Sequence, residues 1–144
     1  MRRSIQIFVW TLVLSTGFVL RADTDAEVNA RKDALEIAGA FSNDDFKIRD
    51  GHSCGLLKPH DHALIAVNLY AGNQYWFSVG TSDPVKKVAV SLYDESGKPM
   101  KTEDYSNGDK AAAGFEPENS GQYYVGVDLL EGQEGSFCLV YSYK

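Results

Sequence analysis

The chain has 144 residues, of which 14 are basic and 20 acidic, for a formal net charge of −6. That length supports one domain with a modest core. The acidic balance leaves no basic patch able to neutralise phosphates, so nucleic acid and anionic membrane surfaces are not expected partners.

The first elements in chain order are a leader and a helix. Met1-Arg2-Arg3 is basic, residues 5–20 are apolar, and Arg21-Ala22-Asp23 returns to polar sequence. This order predicts a secretory signal peptide over residues 1–22, cleaved after Ala22. A retained anchor is the rival, although the apolar run falls short of the roughly 20 residues that span a bilayer. No Cys follows it, so no lipid anchor is expected. Cleavage takes three of the 14 basic residues and none of the 20 acidic ones, so 11 then face 20 and the net charge becomes −9. After cleavage no membrane association is expected. Residues 23–43 predict a helix: Thr24-Asp25-Ala26-Glu27 has capping-box spacing, and Ala30, Ala34, Ile37, Ala38 and Phe41 share one stripe. The stripe is mostly alanine, so it can approach another surface closely. Asn43-Asp44-Asp45 closes the helix.

Residues 46–61 are irregular, with Gly51, Gly55, Pro59, His52 and His60, and one short strand near residues 54–57. Residues 23–62 thus form an arm, and a β-sandwich domain follows over residues 63–144. There, short apolar/polar alternations end in Gly- or Asn-rich turns, the pattern of antiparallel strands. The runs begin at Ala63, Tyr75, Val88 and Tyr123. One parity is expected to form the core: Ile65, Val67, Leu69, Tyr75, Phe77, Val79, Val88, Val90, Leu92, Phe115, Tyr123, Val125, Val127, Phe137, Leu139 and Tyr141. Residues 98–113 are polar and small, with one strand expected at residues 99–102.

Cys54 and Cys138 form an even pair, most simply a disulfide in an exported protein. Closing so long a loop is worth roughly 4–5 kcal/mol on the chain-entropy estimate. Cys138 alternates with Phe137 and Leu139 and therefore points away from the core. Pairing with Cys54 would lay the arm over the outer face or edge of the last strand's sheet, with the helix as a cover. No His-Asn or His-Asp set accompanies either cysteine.

The stretches Leu69-Tyr70-Ala71-Gly72-Asn73-Gln74-Tyr75-Trp76-Phe77, Leu92-Tyr93-Asp94-Glu95-Ser96-Gly97 and Pro117-Glu118-Asn119-Ser120-Gly121-Gln122-Tyr123-Tyr124-Val125-Gly126-Val127 occur in this order. They resemble the bacterial pre-peptidase C-terminal domain family over residues 63–141. The resemblance implies an all-β, antiparallel jelly-roll-like sandwich in an exported protein, here with an N-terminal helix packed on it. Some members of that family bind polysaccharide, collagen or calcium.

Three candidate sites follow. His60 and His62, two apart on extended chain, could share a zinc or copper ion with Asp61 or His52; the competing reading is a solvated loop. Asp94, Glu95, Asp104, Asp109 and Asp128 could offer oxygens to calcium, but their spacing is not that of a calcium loop, and turn chemistry explains them as well. Trp76, Tyr93 and Tyr124 lie on the parity opposite the core and could form a flat platform for sugar rings, unless the helix or a partner covers them. No nucleophile elbow, phosphate loop or His-Glu-x-x-His occurs. The expectation is a periplasmic or secreted, non-catalytic module without a cofactor that binds polysaccharide or an extracytoplasmic protein. The alternatives are a structural subunit of the envelope and a metal-binding protein.

Overall fold

The computed structural model describes residues 23–41 and 45–144. The expected signal peptide, and the Asn43-Asp44 part of the helix stop, lie outside the described residues. The helix α1 spans Asp25–Ala40. Thr24 caps it as its sequence requires: the hydroxyl accepts from the Glu27 amide at 3.2 Å, and the Glu27 carboxylate accepts from the Thr24 amide at 3.0 Å. These bonds satisfy two donors that a helix start otherwise leaves open. Ala30, Ala34, Ile37 and Ala38 are the buried face.

Nine strands follow among the described residues: β1 (Lys47–Ile48), β2 (Ser53–Leu57), β3 (His62–Leu69), β4 (Tyr75–Thr81), β5 (Val85–Asp94), β6 (Glu103–Asn107), β7 (Lys110–Phe115), β8 (Gly121–Gly132) and β9 (Gly135–Tyr143). They form two antiparallel sheets. One runs β1-β9-β4-β7-β6, with β2 also on β9; the other runs β3-β8-β5. The pairings nest, β2 with β9, β3 with β8 and β4 with β7. That nesting is a long antiparallel ribbon rolled on itself, the jelly-roll plan. It departs from the plan at β6, which folds back on β7 and joins the first sheet.

The expected core parity holds. Thirteen of the sixteen residues named above are buried together, and Ile65, Phe115 and Tyr141 pack against them in part. Leu57, Val85, Ala111, Ala113 and Leu129 complete the core. The expected strand at residues 99–102 is not present. Pro99 makes only an isolated bridge to Tyr93, and the strands of this region are β6 and β7, joined through Gly108 at φ 62. Glycine takes that left-handed backbone without penalty, which is what a two-residue hairpin turn needs.

The helix lies on the outer face of the first sheet, across β4 and β9. A second small cluster of Ala34, Ala38 and Val140 holds it there. Gly80 makes the approach possible: a Cβ on it would land on the Ala30 carbonyl and the Ala34 amide, and 2.7 Å from Asp33 Cβ. Lys110 on β7 reaches up to Glu36 at 3.2 Å and Asp33 at 3.3 Å. The disulfide joins Cys54 and Cys138, directly opposed across β2 and β9 with Cα atoms 4.1 Å apart. Cys138 Sγ sits 3.4 Å from the Glu27 carbonyl oxygen, beneath the helix. The even cysteine pair thus predicted the bond, and the outward parity of Cys138 predicted its cover. Among the described residues no helix is long and apolar enough to cross a membrane.

Candidate functional site

The three outward aromatics fall on two different sheets. Trp76 belongs to β4 in the first sheet. Its indole lies over Gly114, whose missing Cβ would be 2.9 Å from the ring, and Phe41 stacks on it at 4.2 Å with planes 8° apart. Phe41 is the last residue of the helical stripe, so the helix end covers Trp76 from within the chain. A platform made of Trp76, Tyr93 and Tyr124 together does not exist.

Tyr93 and Tyr124 stay together. They are register partners across β5 and β8 on the outer face of the second sheet, with Ala66 of β3 completing the row. The helix does not reach this face. One row along, Gly126 lies between Leu64 and Ser91. A Cβ at Gly126 would fall 2.5 Å from His62 Cε1 and 2.9 Å from the Tyr93 ring. Glycine here lets both rings lean over the backbone, where they meet edge to face with centroids 5.5 Å apart. Such a T-shaped pair places a positive ring edge against a negative ring face.

His62 Nδ1 lies 2.7 Å from Asp128 Oδ1. The carboxylate accepts, so Nδ1 carries the proton in that contact, which fixes the ring's orientation and leaves Nε2 to a second partner. Leu64, 56% exposed, adds an apolar side chain beside Tyr124. The Tyr124 hydroxyl donates to Gln122 Oε1 at 3.1 Å. His62, Leu64, Tyr93 and Tyr124 line an open depression of about 490 Å³ together with the Glu95-Ser96-Gly97 turn. The face thus offers half-exposed aromatic rings, one oriented imidazole and acidic neighbours.

The turn that bounds it is well fixed. Asp94 Oδ1 accepts from the Ser96 amide at 2.9 Å, the Ser96 hydroxyl at 2.7 Å and the Lys98 amide at 2.9 Å. Those bonds, the Ser96 hydroxyl foremost, hold the Asp94 carboxyl below its ordinary 3.8. Beyond the turn, at the end of the sandwich, a larger depression of about 770 Å³ has Met100, Phe115 and Tyr123 among its lining and Glu95, Glu116 and Glu118 around them.

The metal candidates are not brought together. His60 occupies a turn at φ 67, His62 is engaged by Asp128, and His52 Nε2 lies 3.4 Å from Arg31. The acids suggested for calcium are dispersed: Asp94 serves its own turn, Asp104 accepts from the Thr102 hydroxyl at 2.6 Å, and Asp128 holds His62. Among the described residues no group of three or more His, Cys, Asp or Glu is arranged to hold a metal ion.

Sequence reasoning missed the His62–Asp128 contact, which joins residues 66 apart in the chain. Only the β3–β8 register, with His62 opposite Asp128, makes it visible. The disulfide is consistent with an extracytoplasmic location. No protein-family model matches this chain, and no curated protein matches it.

Proposed function

We propose that this is an exported, non-catalytic β-sandwich module, periplasmic or secreted, that binds a polysaccharide on the outer face of the β3-β8-β5 sheet. The observation that carries the reading is the Tyr93–Tyr124 pair with His62 held by Asp128 beside it. Sugar rings offer C–H faces to aromatic rings and hydroxyls to fixed polar atoms, and this face supplies both. The acidic neighbours Glu95 and Asp128 favour a neutral or cationic chain over a polyanion. The resemblance of residues 63–141 to the pre-peptidase C-terminal domain family agrees with this reading, since some of that family bind polysaccharide.

Affinity electrophoresis through gels holding neutral, cationic and anionic polysaccharides tests it. Retention by a neutral or cationic polymer is expected, with Tyr124→Ala weakening it by about 10-fold or more. Gly126→Ala should weaken it as well, because its Cβ pushes the His62 and Tyr93 rings apart while touching only movable side chains. Absence of retention by any polymer, or retention untouched in both variants, would remove the proposal.

A further inference from the structure

We propose that two copies of this chain pair through the outer edge of β3, antiparallel about a two-fold axis, to make a continuous six-stranded sheet. The inference rests on strand chemistry and holds whether or not the face binds polysaccharide.

The direction of the backbone groups follows from the bonds around β5. The Leu92 carbonyl accepts from the Met100 amide at 2.8 Å, and the Asp94 amide donates to the Lys98 carbonyl at 3.0 Å. Leu92 and Asp94 therefore face away from β8. In an antiparallel ladder alternate residues point to opposite neighbours, so Ser91 and Tyr93 bond to Gly126 and Tyr124. On β8 that leaves Tyr123, Val125 and Val127 for Val67, Ile65 and Ala63 of β3. The amide and carbonyl groups of His62, Leu64, Ala66 and Asn68 then point outward, unpaired among the described residues.

Such an edge is a template for another strand, and proteins usually blunt it with charge, proline, a bulge or a cover. The other edges here are blunted. β6 carries Glu103 and Asp104. β5 has Lys86, Lys87 and two register irregularities, and Gly108, Met100 and Lys98 bond the outward groups of Val88, Leu92 and Asp94. The β1–β2 edge breaks between Ile48 and Ser53. In contrast β3, His62-Ala63-Leu64-Ile65-Ala66-Val67-Asn68-Leu69, has no Lys, Arg, Asp, Glu or Pro in a chain that is 24% charged.

That neutrality selects a second copy as the occupant. A two-fold axis sets the strand against a copy of itself, residue i facing j and j facing i, so a strand rich in one charge would repel its copy, and β3 has no fixed charge to oppose. The overlap that uses all four outward residues centres on Ile65. It pairs Leu64 with Ala66 of the partner and His62 with Asn68 of the partner, and sets Ile65 against Ile65 of the partner. Space for the incoming side chains exists: a cleft of about 340 Å³ lies beside the edge, lined by Ile65, Val67, Leu139 and Tyr141 and, from the loop between β1 and β2, by the oppositely charged Arg49 and Asp50. Ala63 and Ile65 face the core yet stay part-exposed because their strand has no neighbour there. The dimer would set two Tyr93–Tyr124 pairs on one surface, their Tyr124 residues three strand spacings apart across the sheet and two residues offset along it, about 16 Å in all.

Sedimentation and light scattering of the purified protein across a concentration series test this, with circular dichroism as the check on folding. The expected result is a dimer whose dissociation constant rises about 100-fold or more in Ala66→Pro, which blocks an outward amide that β8 does not use. Ile65→Lys and Ile65→Glu should each be monomeric alone and dimeric when mixed, because the axis places position 65 against itself. A monomeric parent protein would overturn the proposal, including the case where the edge captures a foreign strand. So would folded variants that dimerise as the parent does, or a Lys/Glu mixture no stronger than its components.

Discussion

Replacing Gly80 by alanine should lift the helix off the sheet. The added Cβ would lie 2.7 Å from Asp33 Cβ and fall on the backbone of Ala30 and Ala34. Ordinary contact needs about 3.4 Å or more, so α1 must retreat by about 1 Å. Backbone atoms of a capped helix cannot swing aside as a side-chain tip would. Overpacking of this kind costs about 1–3 kcal/mol, and a gap of that width forfeits a quarter to a half of the dispersion along the Ala34, Ala38 and Val140 contact. A total of about 2–4 kcal/mol is a large part of the roughly 5–15 kcal/mol typical of a domain. The assay is urea unfolding of the oxidised protein by circular dichroism. With a slope near 2 kcal/mol per molar, the midpoint should fall by about 1–2 M. Gly39→Ala is the control, since nothing lies within 4 Å of its Cβ position; removing a helical glycine should raise stability by about 0.5–1 kcal/mol. A Gly80→Ala midpoint equal to that of the parent would refute the idea that glycine sets the helix–sheet distance.

Three further outcomes are expected. Paired Cys54→Ser and Cys138→Ser substitutions should cost about 2–5 kcal/mol, measured as the same midpoint under non-reducing conditions. Ser78→Ala should leave stability unchanged or raise it by up to about 1 kcal/mol, because the Ser78 hydroxyl is buried beneath the helix with no partner among the described residues; a clear loss would mean the hydroxyl is bonded. Glu36 above all, and Asp33 with it, raise the Lys110 ammonium above its ordinary 10.5 against the opposing effect of burial. A raised folded-state value gives stability that is complete below the unfolded value and is lost as pH climbs through the folded one. Lys110→Met should therefore cost about 0.5–1 kcal/mol at neutral pH, and the gap to the parent should close in alkaline titration above pH 10.5.

Much of the sandwich was legible because a half-buried strand writes its burial into the chain as alternation. The same parity separated Cys138 from Phe137 and Leu139, and so told that the arm and helix lie over the sheet that holds β9. The β6–β7 hairpin was not legible. Ala111 and Ala113 are core residues and Ala112 is buried on the helix side, so both faces of β7 are small and no alternation survives. The small residues there are a consequence of close neighbours. Gly114 in the same strand makes room for Trp76.

The site was half legible. Parity marked Trp76, Tyr93 and Tyr124 as outward but could not say outward from which sheet. That depends on pairings between distant segments, and those set Tyr93 against Tyr124 while sending Trp76 beneath Phe41. The His62–Asp128 contact depends on the same long-range register.

The nested pairing has a further consequence through its outermost rung. Cys54 sits in the second strand and Cys138 in the last, so every inner strand is enclosed in one covalent ring. A protease that nicks any loop between them leaves fragments that still migrate as one species until a reductant is added. The cross-link can close only after the final strand has arrived, so its presence certifies that a molecule was completed before it was sealed.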